Sequence, residues 1–156
     1  IFVLLVLTFR SPRQAVLVIA NIPFALVGGI AALRVAGEYL SVPASVGFIA
    51  LLGIAVLNGV VLVSHFNTLL ARGLPLTQAV HQGVRDRLRP VLMTACITAL
   101  GMVPLLLASG PGSEIQRPLA VVVAGGLISS TALTLLLLPL LFERFGAPRT
   151  VEVIEK

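Results

Sequence analysis

The stretch VGFIALLGIAVLNGVVLVS, Val46 to Ser64, decides how the chain is read. At about 1.5 Å of rise per residue, a helix of this length crosses the roughly 30 Å hydrocarbon core of a bilayer once. The run carries one amide, Asn58, near its middle and glycines at 47, 53 and 59. Membrane helices gain little hydrophobic free energy by meeting, so they associate where small side chains let backbones approach. Ala55 and Gly59 lie four apart on one face, and this helix is expected to be central. Asn58 sits beside that face. An unpaired amide in hydrocarbon costs on the order of several kcal/mol, so Asn58 is expected to point into a bundle. It serves either as an interhelical hydrogen bond or as a polar group on a conduction path.

Composition supports the membrane reading throughout. The chain is 58% hydrophobic and 11% charged, against about 25% charged for soluble domains. The net charge of +5 is not a nucleic-acid footprint, because the arginines fall between apolar runs and no basic stripe is interleaved with aromatics. The single cysteine, Cys96, excludes an internal disulfide.

Outward from the central run, the apolar segments predict four full spans and one partial span. Ile1–Thr8 covers only about 12 Å, so the chain is expected to begin inside a helix, as the C-terminal part of a larger protein. The remaining spans are read at 14–36, 46–70, 91–108 and 119–142, with a tail at 143–156. In the second, Asn21 and Pro23 predict a kink and Gly28 and Gly29 close packing. In the last, Gly125, Gly126, Ser129 and Ser130 form small pairs four apart. Between the spans, 76–89 shows helical apolar spacing at Leu76, Ala79, Val80, Val84 and Leu88 with arginines opposite. It reads as an amphipathic helix on the membrane surface, N-capped by Thr77, with Pro90 opening the next span. The fold class is therefore an all-α polytopic transmembrane helix bundle with a cytoplasmic amphipathic helix. Sidedness follows from Arg and Lys: nine lie in the first turn, the 72–89 segment and the tail, and two, Arg34 and Arg117, lie near the opposite loops. That places the tail and the amphipathic helix in the cytoplasm.

No Asp, Glu or Lys falls inside these spans, so a titrating carboxylate for proton coupling must come from elsewhere. The polar groups on offer are Asn58, Thr94, Thr98 and Arg87. Thr94 and Thr98 can equally bond their own backbone, and Arg87 and Arg89 can equally anchor a helix end at the headgroups. Met93 and Cys96 are three apart, which gives too few ligands for a soft metal ion. His65 and His81 have no second histidine or carboxylate at ligand spacing. Nothing matches a nucleophile with its base, a phosphate-binding glycine loop or a zinc motif, so no enzyme site and no cofactor are expected.

Five strings in order, ANIPFALVGG from 20, LSVPASVGFIALLGIAVLNGVVLVS from 40, RLRPVLMTA from 87, SGPGSEIQRPLAVVVAGG from 109 and LLLLPLLF from 135, closely resemble the last spans of the resistance-nodulation-division efflux pumps. The GSEIQRPLA string tilts the resemblance to the heavy-metal branch, typified by cobalt-zinc-cadmium exporters. The resemblance implies a twelve-span inner-membrane transporter that exchanges protons for heavy-metal cations. It also implies a homotrimer in membrane lipid, working with a periplasmic adaptor protein and an outer-membrane channel. The family's proton-carrying acids lie on a span outside this chain. Leu57 stands where the multidrug branch has a lysine, which argues against a multidrug-type relay, and Arg87 and Thr94 match an arginine and a threonine of that branch's pattern. Asn58, Thr94 and Arg87 are thus the expected support for proton movement. The alternatives are a multidrug pump of the same superfamily and a non-pump module related to secretion accessory subunits.

Overall fold

The structure is a computed structural model and describes residues 1–146. It contains six α-helices in order: α1 (Phe2–Phe9), α2 (Pro12–Ala20), α3 (Ile22–Ala36), α4 (Val42–Ala71), α5 (Leu76–Leu106) and α6 (Ser113–Leu141), followed by a π-helical turn at Phe142–Gly146. Four helical segments are long and apolar enough to cross a membrane: 12–36, 42–71, 76–106 and 113–145. With α1 as the short fifth piece, this is the all-α bundle that the apolar runs specify.

Local chemistry explains most of the boundaries. Pro12 sits in the first turn of α2, where its missing N–H costs no hydrogen bond. Gly37, at φ 71°, ends α3; its N–H donates to the Arg34 carbonyl and the Glu38 N–H to the Leu33 carbonyl. That pair of hydrogen bonds is the left-handed glycine stop of a helix. The Ser41 hydroxyl accepts from the Ala44 N–H and caps α4. Gly73, at φ 86°, supports the turn between α4 and α5.

Three expectations are corrected. The amphipathic segment 76–89 and the span 91–108 are one continuous helix, α5, with Pro90 inside it instead of opening a new one. Proline removes one N–H and one bond, and the apolar and polar residues on both sides hold the helix across the gap. Thr77 is not the N-cap, since α5 starts at Leu76 behind Pro75. The exit loop before the last span is also shorter than read: α6 already begins at Ser113, behind Gly110 and Gly112, which both hold positive φ.

The fourth difference concerns the hub. The most enclosed helix is α6, which packs against α3, α4 and α5. Half of its span is buried, against a third for α4. The physical reason is a pair of small-residue rows. A Cβ built on Gly28 would collide with Ser129, and one on Gly125 with Ala32, so Gly28 and Ala32 of α3 interlock with Gly125 and Ser129 of α6. On the next face of α6, Gly126 accepts the Leu51 side chain, and Gly47 of α4 comes up against the Leu119 carbonyl. Gly59 of α4 receives Val18 of α2, and Gly83 of α5 receives the Phe66 ring. Phe66 in turn stacks obliquely on Phe142, with centroids 4.9 Å apart.

These contacts predict a ranking of glycine substitutions. Gly125→Ala meets a Cβ fixed to the α3 backbone and should cost about 1–3 kcal/mol, whereas Gly126→Ala meets a mobile leucine tip and should cost less. Gly53→Ala, at a position open to space, should leave stability unchanged or slightly raised. Thermal loss of helicity in detergent would check the order; a Gly125→Ala protein as stable as Gly53→Ala would refute it.

Candidate functional site

The three residues expected to support proton movement are not joined to one another by any hydrogen bond among the described residues. Asn58, on α4, is half-buried and makes no hydrogen bond to another described residue. The interhelical hydrogen bond, one of the two readings open for Asn58, is thus not formed among the described residues. Thr94, on α5, is exposed, and its hydroxyl donates to the Pro90 carbonyl 2.9 Å away. That is a bond to its own helix one turn back, at the point where proline interrupts the ladder. Arg87 is half-buried, and its Nε is enclosed without a partner among the described residues. Met93 and Cys96 are both exposed, and no cluster of three metal-ligating side chains occurs among the described residues.

The polar interior lies elsewhere. Asn21 occupies the break between α2 and α3, where the helix turns out of register two residues before Pro23. It is 3% exposed, and its Nδ2 donates to the Thr134 hydroxyl of α6 at 2.5 Å. Ser130 and Thr131 are buried on the same helix, one turn away, with hydroxyls that have no partner among the described residues. Sequence reading took Asn21 only as part of a kink. The argument applied to Asn58, that an amide inside an apolar run needs a partner, identifies Asn21 equally well, and Thr134 completes it.

Two further pairs tie helices together near their ends. The amides of Gln14 and Asn67 exchange hydrogen bonds of 2.9 and 2.7 Å between α2 and α4. His65 Nε2 and Asp86 Oδ2 lie 3.2 Å apart between α4 and α5. The α4–α5 hairpin thus brings together groups 21 residues apart, which spacing along the chain cannot reveal. At the far end, Arg117 bridges Glu38 at 3.4 Å.

A chain of four bilayer-length helices, packed through glycine and paired across its interior by neutral amides and hydroxyls, is a polytopic membrane bundle. The sequence matches the AcrB/AcrD/AcrF family over residues 1–146, and the chain belongs to that family of resistance-nodulation-division transporters. It is 54% identical over 143 residues to the cobalt-zinc-cadmium resistance protein CzcA of Cupriavidus metallidurans, covering 92% of this chain and 14% of that protein. It is 55% identical over 150 residues to the protein HelA of Legionella pneumophila, covering 96% of this chain and 14% of HelA. A crystal structure of a heavy metal efflux pump superposes with a TM-score of 0.82 at 49% identity, over 90% of this chain and 14% of that one. The ordered strings thus recur in relatives whose names carry heavy-metal resistance or efflux, and the chain spans about 14% of the length of the relatives it matches.

The buried Asn21–Thr134 bond is measurable. A double-mutant cycle with Asn21→Leu and Thr134→Val should return a coupling of about 0.5–1.5 kcal/mol, the range for hydrogen bonds between membrane helices. Unfolding of the two single variants and the double variant in detergent would measure it, and additive losses would show that the two side chains act independently.

Proposed function

We propose that the chain forms part of the membrane-embedded portion of a proton-driven exporter of heavy-metal cations, acting by metal ion/proton antiport. The observation that carries this reading is the 54% identity to a cobalt-zinc-cadmium resistance protein across nearly the whole chain. Within it, Asn58, Thr94 and Arg87 give polar support to proton movement, and the carboxylates that carry the proton are supplied outside these spans. In support, the described spans hold no acid in their apolar stretches, and a neutral surround raises no competing charge where another segment's carboxylate titrates. Leu57, in the register of the multidrug lysine, keeps that surround neutral. The working assembly is a homotrimer in the inner membrane, joined by a periplasmic adaptor to an outer-membrane channel.

The asymmetry of nine basic residues against two supports a cytoplasmic tail and a cytoplasmic α4–α5 turn. The tail beyond residue 146 lies outside the described residues. The first half of α5, with Arg85 and Arg89 on one side, then runs along or out of the cytoplasmic interface before the helix enters the membrane.

Transport is tested by grafting residues 1–146 into the matching position of the Cupriavidus metallidurans CzcA and measuring growth of a sensitive host in zinc, cobalt or cadmium. The chimera should restore resistance above an empty vector. Asn58→Leu and Arg87→Gln should lower it at unchanged protein level, and Thr94→Val should do less, because its hydroxyl is committed to Pro90. A resistant chimera indifferent to Asn58→Leu would remove that residue from the path.

Sidedness has its own test. In a Cys96→Ser background, Gly73→Cys should be shielded from a membrane-impermeant thiol reagent in intact cells and Gly110→Cys should be labelled. The reverse pattern would invert the topology.

A further inference from the structure

We infer that the cavity between the α1–α2 turn and the C-terminal end of α4 binds the phosphate headgroup of an anionic phospholipid. The cavity measures about 750 Å³. Its walls are the end of α1, the start of α2 and the last turns of α4, so it opens where helix ends meet the membrane interface. Thr8, Arg10, Ser11, Gln14, Ser64 and Asn67 line it with hydroxyl, amide and guanidinium groups, and among the described residues no Asp or Glu takes part.

The site is built rather than incidental. The two hydrogen bonds between Gln14 and Asn67 fix α2 to α4 and set the spacing of the walls. The Thr8 hydroxyl is committed to the Leu4 carbonyl at 2.8 Å. The hydroxyls of Ser11 and Ser64 and the guanidinium of Arg10 make no hydrogen bond or ion pair to another described residue. Ser11 opens α2 without a side-chain cap, so the first free N–H groups of that helix add partial positive charge on the same side.

Charge selects the ligand. From Ile1 to Ala71 the sequence contains a single acid, Glu38, and that one bridges Arg117. Arg10 has no ion-pair partner among the described residues, and it is set in a chain reversal where it holds the left-handed φ of 51°, the one non-glycine residue to do so among the described residues. Guanidinium groups pair bidentately with phosphate oxygens. Serine hydroxyls and helix N–H groups complete a phosphate cradle, while a choline group beside Arg10 would be repelled. Leu4 and Leu7, strongly exposed on adjoining α1, give acyl chains an apolar surface to follow. Basic pockets between membrane helices are known physical traps for anionic headgroups.

The test uses the full chain purified in detergent, offered phosphatidylglycerol or phosphatidylcholine, with retained lipid counted by native mass spectrometry and helicity followed by circular dichroism. The chain should retain phosphatidylglycerol in preference to phosphatidylcholine. Arg10→Gln should reduce that retention about fivefold, the weight of one arginine at a membrane surface. Arg10→Lys should keep most of it, and Arg34→Gln, at the other end of α3, should leave it unchanged. If Arg10→Gln loses helicity, Ser64→Ala decides: reduced retention supports the site and unchanged retention overturns it. Equal retention of the two lipids overturns it, as does a folded Arg10→Gln chain that binds like the unaltered one. Displacement of the lipid by millimolar inorganic phosphate would also overturn the assignment, since the cavity would then serve a free anion.

Discussion

In lipid, two apolar helices have little reason to touch, because the hydrocarbon around them is as apolar as their own side chains. What holds this bundle is the approach of α3 to α6 at backbone distance, with Gly28 and Ala32 set against Ser129 and Gly125. Each small residue faces a small residue, so dispersion contacts form along the main chains themselves. The rest of the packing follows from where that seam puts α6. Its next face presents Gly126 to Leu51, and Gly47 lays α4 against the Leu119 carbonyl. Three helices are thus positioned by missing side chains more than by present ones.

The same seam creates the polar interior. Drawing α3 onto α6 brings the α2–α3 break against the second half of α6, and Asn21 finds Thr134 there. A break in a membrane helix is tolerated only where freed polar groups are satisfied by neighbours, and for the Asn21 amide the Thr134 hydroxyl is that neighbour. Position and satisfaction are therefore coupled. Moving α6 outward would lose the dispersion contacts and strand a buried amide together.

How much of this was legible in the sequence depended on the range of the signal. Apolar runs, glycine spacing and the Asn21–Pro23 interruption are local, and each reappears as a span, a seam or a break. The continuity of α5 was missed because Pro90 is a strong local stop signal, although the helix runs on through it. Partners were the least legible part. His65–Asp86 and Gln14–Asn67 join residues 21 and 53 apart, and only the folding of a hairpin or the crossing of α2 over α4 makes them neighbours. The family could be read all the same, since ordered strings such as ANIPFALVGG and RLRPVLMTA preserve identity without any knowledge of contacts.

The amides of the spans divide in a way that bears on the proposed transport role. Asn21, Gln14 and Asn67 all have partners across the bundle. Asn58 does not; it is half-buried, next in the chain to Leu57, which is 62% exposed. If that side of α4 faced lipid, the amide would pay the full cost of an unpaired polar group in hydrocarbon. A half-buried amide without a partner in the bundle calls instead for a polar neighbour against α4. The filled side of α4 holds the bundle together, and under the proposed transport role the edge that carries Asn58 would sit against the titrating groups that these spans lack.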